Sequence, residues 1–196
     1  MSVMPSHRSR AICRRVVVSA CLLAFASTAR AQEGRWVEVT PAGNSPDPRL
    51  LHAMTYDGTR VILFGGDALV GGFCCDEVND TWGWDGTGWT DLTPARSPDT
   101  RWLHAMAYDS RRSRVVMGFG KTGTTALRAR FDTWEWNGAN WVEAAWDATH
   151  LFYEPSMAYD VDRSVTVMLT DDRTWVWGGA QWVDVTPESQ PPWPFG

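Results

Sequence analysis

One short block recurs along this chain and limits what it can fold into more than any other feature. His52-Ala53-Met54-Thr55-Tyr56-Asp57 returns 52 residues later as His104-Ala105-Met106-Ala107-Tyr108-Asp109, and a third time as Ser156-Met157-Ala158-Tyr159-Asp160. A second block travels with it. Thr81-Trp82-Gly83-Trp84-Asp85-Gly86 with Trp89 is followed by Thr133-Trp134-Glu135-Trp136-Asn137-Gly138 with Trp141, then by Thr174-Trp175-Val176-Trp177-Gly178-Gly179 with Trp182. Such a period marks an array in which each repeat buries its apolar surface against the next. Ten of the 13 Trp fall at equivalent positions, counting Trp36 as the partner of Trp89, so these indoles are expected to pack the repeats together. A core has to repeat, whereas a ligand site does not.

Each repeat contains four short strand-like runs; in the first they lie near 50–56, 60–65, 80–84 and 89–93. Asp85-Gly86, Asn137-Gly138 and Gly178-Gly179 separate the third run from the fourth, and these pairs tolerate the positive φ of a tight hairpin, so the runs pair antiparallel. Trp82 and Trp84 are two apart and share one strand face, which a neighbouring layer must cover. Val115-Val116-Met117 has no polar alternation, as expected of a strand covered on both sides. The expected fold is all-β, built of four-stranded units near 49–94, 101–146 and 154–187.

Arg49, His52, Tyr56-Asp57, Val61-Ile62-Leu63-Phe64-Gly65-Gly66, Asn79-Asp80-Thr81-Trp82 and Trp89 together resemble one Kelch repeat, and the pattern runs through residues 35–187. The second repeat keeps Arg101, His104, Tyr108, Trp134 and Trp141 but reads Met117-Gly118-Phe119-Gly120 where the double glycine belongs. The third has Met168-Leu169-Thr170-Asp171-Asp172 there, without a glycine pair. The resemblance implies β-propeller blades, which in this family usually form a binding scaffold and in some relatives carry an oxidase or isomerase site. Three full repeats and one leading strand, Trp36 to Thr40, fall short of the roughly 4 to 8 blades of a closed ring. The expectation is a partial or open propeller that is truncated, stays open, or is completed by self-association.

The first 31 residues read as an export leader. Arg8, Arg10, Arg14 and Arg15 precede an apolar stretch from Val16 to Ser27, and Ala29-Arg30-Ala31 has the small-residue pattern of a cleavage site. Twelve apolar residues cannot span a bilayer, so the chain 32–196 is expected to be secreted or periplasmic, with no membrane attachment once the leader is removed. Val18-Ser19-Ala20-Cys21 resembles a lipoprotein box, but it follows the last Arg of the pair too closely for an ordinary apolar region. Five of the 18 basic residues lie in the leader; the remaining 13 face 23 acids, a net charge of −10 that argues against nucleic acid as a partner.

Candidate binding residues lie outside the repeated pattern. The loops after the second and fourth strands of a blade emerge on one face, which would collect 67–77, 95–100, 121–130 and 147–154. There the acidic Asp67, Asp76 and Glu77 meet the basic Lys121, Arg128 and Arg130, with the non-repeated Trp102 and Trp146 as candidates for recognition beside the terminal Trp193. Trp82, Trp84, Trp89, Trp134, Trp136, Trp141, Trp175, Trp177 and Trp182 are assigned to packing. His52 and His104 recur beside Arg49 and Arg101, so a repeated structural hydrogen bond is a plainer reading than a metal site. No cofactor, metal or catalytic residue is expected. Cys74 and Cys75 are adjacent, with Cα atoms ~3.8 Å apart where disulfides usually need ~4.4 to 6.8 Å. A strained ring, a bridge to another chain and free thiols all stay open.

The expected function is therefore a secreted, non-catalytic binding or assembly scaffold for a protein or carbohydrate ligand; the alternative is a fragment or relative of a Kelch-type enzyme such as a galactose-oxidase-like oxidase or a sugar isomerase. For the leader, mass spectrometry of the exported product is expected to find Gln32 as the first residue, whereas a product beginning at lipidated Cys21 would overturn that reading.

Overall fold

The computed structural model describes residues 36–39, 43–70, 73–123, 128–146, 154–170 and 172–188, without the side chains of Val70, Phe73, Cys74 and Cys75. The chain divides into two units, 1–38 and 39–196. Of the first unit, residues 36–38 are described and form no strand. The second is all-β, with fifteen strands and no helix among the described residues.

Three antiparallel sheets follow one another along the chain, one for each repeat. The first holds β1 (Arg49–Leu50), β2 (Ala53–Tyr56), β3 (Val61–Val70), β4 (Phe73–Trp84) and β5 (Trp89–Asp91). The second holds β6 (Ala105–Asp109), β7 (Arg114–Gly118), β10 (Asp132–Trp136) and β11 (Trp141–Trp146), and the third β12 (Ser156–Asp160), β13 (Val165–Leu169), β14 (Thr174–Trp177) and β15 (Trp182–Asp184). In each, four strands pair in chain order, β1 adding itself to the far end of β3. A two-stranded ladder of β8 (Lys121–Thr122) and β9 (Arg128–Ala129) rises from the connection between β7 and β10.

The Tyr-Asp pairs of the sequence are turn devices. Asp57 Oδ1 accepts the amides of Thr59 and Arg60 at 2.8 Å each, and Asp109 and Asp160 accept those of Arg112 and Arg163 at 3.0 Å. A carboxylate that binds nearby amides in this way competes with strand continuation and stops the first strand of each sheet.

The strands depart from expectation at three places. The segment 67–77, expected as a loop, is a continuation of β3 and β4, with Asp67 opposite Glu77 and Val70 opposite Phe73. Residues 36–39, expected as a leading fourth strand, form none, because the third strand of each sheet already pairs with its own repeat's fourth. The third difference is at Phe119. It takes the left-handed conformation of Gly65, φ +65° beside +59°, and Gly120 matches Gly66 at +90° and +100°. A Cβ at Gly66 would meet the Leu50 carbonyl at 2.6 Å and one at Gly120 the Trp102 carbonyl at 2.7 Å, so the second glycine of the motif is required in both repeats; a Cβ at Gly65 would meet the Arg101 carbonyl at 2.8 Å, whereas the second repeat accommodates Phe119 at that position.

The sheets pack in one sense. Ile62 and Phe64 of the first sheet form a core with Met106, Val115, Met117, Trp134, Trp136 and Trp141 of the second. Val116, between two residues of that core, belongs instead to a core with Met168, Trp175, Trp177 and Trp182 of the third. The run Val115-Val116-Met117 is thus covered on both faces, each residue at most 1% exposed. A hydrogen bond repeats across the two interfaces: the Trp141 indole donates to Thr81 Oγ1 and the Trp182 indole to Thr133 Oγ1, both at 2.9 Å. Within each sheet the equivalent pairs Trp84–Trp89, Trp136–Trp141 and Trp177–Trp182 hold ring centroids 5.4–5.5 Å apart.

Two of the sheets carry a buried charge lock. Arg101 is fully buried and forks onto Asp132 at 2.8 and 2.6 Å, donates to the Phe119 carbonyl at 3.1 Å, and shares Asp132 Oδ2 with the Trp134 indole at 2.6 Å. Arg49, Asp80, the Gly65 carbonyl and Trp82 repeat the arrangement at 2.6–3.1 Å. In the third repeat Arg173 stands where Asp80 and Asp132 stand in the others and pairs with Asp184 at 2.6 Å. Removing one partner of a buried pair leaves the other uncompensated. Arg101→Ala is expected to cost ~3–5 kcal/mol in urea unfolding. Arg49→Ala should cost clearly less, because the Asp80 side chain is 26% exposed against 5% for Asp132, and water can solvate it.

Candidate functional site

The extended β3–β4 hairpin and the β8–β9 ladder bring part of the expected ligand face together. Glu77 is its centre. Its Oε2 accepts hydrogen bonds from the hydroxyls of Thr122 at 2.6 Å and Thr100 at 3.2 Å, and its Oε1 accepts the Trp102 indole N–H at 3.3 Å. Trp102 bridges Lys121 through the backbone, with amide-to-carbonyl bonds of 3.0 and 2.9 Å in the two directions, and the Lys121 ammonium lies 5.8 Å from the centroid of its ring. Asp67 sits across from Glu77 with Oδ1 buried and without a hydrogen-bond partner. Its carboxyl is pushed above the ordinary carboxylate range by burial and then by the charge of Glu77.

The other expected residues are placed around this group rather than in it. Asp76 is exposed on β4, opposite Ala68. Arg128 is exposed on β9, paired with Thr122, and Arg130 forms an ion pair with Asp99 at 2.8 Å. Trp146 ends β11 at 59% exposure, its ring 6.2 Å from that of Phe131. Residues 147–153 and Trp193 lie outside the described residues, as do the side chains of Cys74 and Cys75 and the leader 1–31. Sequence reasoning missed Thr100 and Thr122, the hydroxyls that fix Glu77. Thr is common in this chain, and only the fold brings these two beside one carboxylate.

The two repeated histidines are positioned differently from expectation. The guanidinium groups of Arg49 and Arg101 donate to Asp80 and Asp132, not to imidazole. His104 is buried with its ring edge-on to Phe64, centroids 5.6 Å apart at 84°, and neither ring nitrogen has a hydrogen-bond partner of good geometry. Burial and then Arg101 hold its pKa down at about 3, so the ring stays neutral and acts as an apolar filler. Among the described residues no group of three or more His, Cys, Asp or Glu side chains is arranged to hold a metal ion.

No family model matches the chain. Among solved structures, that of YjhT is similar in fold, with a TM-score of 0.58 at 12% sequence identity over 74% of this chain and 54% of YjhT. The chain thus spans about half the length of that protein.

The arrangement offers a rigid, polar, aromatic surface. Glu77 has both oxygens engaged by donors, which suits it to tying the hairpin to the neighbouring loops better than to moving a proton. Asp67 is the strained member. Its folded pKa lies above its unfolded value, so its contribution favours folding below that unfolded value, near pH 3.8, and is lost as pH rises through the folded one. Asp67→Asn is expected to raise the thermal midpoint at pH 7 and to lose that advantage below about pH 4, as checked by melting curves across pH.

Proposed function

We propose that the chain is an exported, non-catalytic Kelch-like scaffold whose sheets are propeller blades, and that a second copy of the same chain completes the ring. The Kelch reading is supported by the recurrence of Arg49 and Arg101, the Tyr-Asp turns and the Trp positions in sheets of one plan. The observation that carries the assembly is the one-way contact between sheets, in which the fourth-strand Trp of one sheet donates to the third-strand Thr of the sheet before it.

At the ends of the series the partners of this contact are left open. On the first sheet, the face equivalent to Met106, Val115, Trp136 and Trp141 forms an open apolar groove of about 270 Å³ lined by Val39, Met54, Val61, Trp84 and Trp89. On the third sheet, the face equivalent to Val116 presents Leu169 at 56% and Val183 at 44% exposure, and Thr174 takes the place of Thr81 and Thr133. Among the described residues Trp89 has no acceptor for its indole and the Thr174 hydroxyl no indole donor, so the two ends are complementary. Two copies joined head to tail at both ends would give six blades, within the usual range for a closed ring. The polar face around Glu77 would then be displayed once per copy to a protein or carbohydrate ligand.

Light scattering at micromolar concentration is expected to give twice the mass of one chain. Thr174→Val and Trp89→Phe should each weaken association roughly tenfold or more, by the loss of a buried hydrogen bond used twice per ring. The unfolding midpoint of the separated chain should stay unchanged in Thr174→Val, whose backbone bonds to its own sheet remain. A folded, soluble monomer at all concentrations would overturn the assembly, and association indifferent to both substitutions would show that other surfaces carry it.

A further inference from the structure

The two interfaces between sheets are furnished differently at their turn ends. Between the second and third sheets, Glu135 Oε1 accepts the Trp177 indole N–H at 2.9 Å and Arg112 Nη1 at 2.6 Å, while Arg112 Nε donates to Asp109 Oδ2 at 2.7 Å. The guanidinium fills the space against Gly179, where a Cβ would meet Arg112 Nη1 at 2.8 Å. One carboxylate thus neutralises a cation and satisfies an indole in the same place.

The equivalent positions one interface earlier are Trp136 for Trp177, Arg60 for Arg112, Asp57 for Asp109, Gly138 for Gly179, and Gly83 for Glu135. Gly83 supplies no carboxylate. The Trp136 indole N–H is buried, in a residue only 2% exposed, and has no hydrogen-bond acceptor. The Arg60 guanidinium makes no hydrogen bond or ion pair among the described residues, and nothing lies within 4 Å of the Cβ position of Gly138. In this place the protein has a pocket of about 290 Å³ lined by Asp57, Arg60, Tyr108, Trp136 and Gly138 among others.

We propose that this pocket binds a carboxylate, which takes the role that Glu135 plays in the next interface. One of its oxygens accepts the Trp136 indole N–H and the Arg60 guanidinium supplies the countercharge. A buried donor without an acceptor, beside a guanidinium that has the nearby charge of Asp57 but no hydrogen bond of its own among the described residues, favours an anion that is also a hydrogen-bond acceptor, and a planar carboxylate matches the guanidinium fork. Asp57 does not repel it decisively. Asp109 stands in the same relation to Glu135, and a single guanidinium serves both carboxylates there. This site lies at the turn end of the sheets, away from the residues that hold Glu77, and does not depend on the state of association.

The test is a titration of ¹⁵N-labelled protein with acetate against sodium chloride at equal ionic strength, following the Trp136 indole resonance assigned by its loss in Trp136→Phe. Acetate should move that resonance saturably and chloride should not. Arg60→Gln, in a turn, should weaken the acetate response roughly tenfold or more. Gly83→Glu should abolish it and place the ligand-free resonance where acetate drives the wild-type one. A Cβ at Gly83 would meet Leu92 Cδ1 at 2.7 Å and Arg60 Cδ at 2.8 Å, so both side chains must shift to admit the glutamate. A Trp136 resonance indifferent to acetate in the folded wild type, or an unchanged response in Arg60→Gln, would overturn the proposal. If Gly83→Glu fails to fold, the Arg60→Gln titration decides alone.

Discussion

A guanidinium sealed from water must be neutralised where it lies, and much of the first two sheets is arranged around that requirement. Arg101 joins the start of its repeat to Asp132, 31 residues on, and through Asp132 to the Trp134 indole. Its Nη1 also donates to the carbonyl of the left-handed Phe119, and its Nε to the carbonyl of Asp99. The charge, the backbone kink and the indole are therefore one cooperative unit, and none is comfortable without the others. Paired ions of this kind add little net stability over an apolar core, but removing one partner is costly because it leaves a buried charge uncompensated. Among the described residues the third sheet has no such unit, and it closes the corresponding turn with the Thr170 amide on the Arg173 carbonyl, at 2.9 Å.

What could be read from the sequence was what repeats. The hairpin pairs Asp85-Gly86 and Asn137-Gly138, the apolar run at Val115 and the shared face of Trp134 and Trp136 depend on local geometry and strand period, and each carries its own signal. What could not be read depended on a partner elsewhere. Phe119 looked like a break in the glycine motif, yet its φ of +65° is imposed by contacts that the chain alone does not display. The segment from Asp67 to Glu77 looked like a loop because its charges masked the alternation around Gly71-Gly72. The run beginning at Trp36 has the composition of a fourth strand, but a strand exists only when another edge is free to receive it.

The same division holds for the ligand face. Asp67, Glu77, Trp102 and Lys121 were visible as the charged and aromatic residues that the repeat does not explain, and the fold does gather them. Their relations were not visible. Glu77 and Lys121, 44 positions apart in sequence, converge on one indole because the extension of β3 and β4 reaches the connection between β7 and β10 of the second sheet. Arg128, Asp76 and Trp146 have the same composition signal without that convergence, which shows how little charge alone locates a site.

The contact from Trp to Thr has a direction, and direction has a consequence for ancestry. An array joined donor to acceptor ends in the same two surfaces whatever its number of units. Duplicating or deleting one whole unit creates no new kind of junction, so a gene of this type can change length in steps of about fifty codons without inventing an interface. A breakpoint inside a unit is different: it separates the third-strand hydroxyl from the fourth-strand indole of one unit, and so leaves one junction without its donor or its acceptor. Selection on such genes would accordingly be felt at the phase of a rearrangement more than at its size.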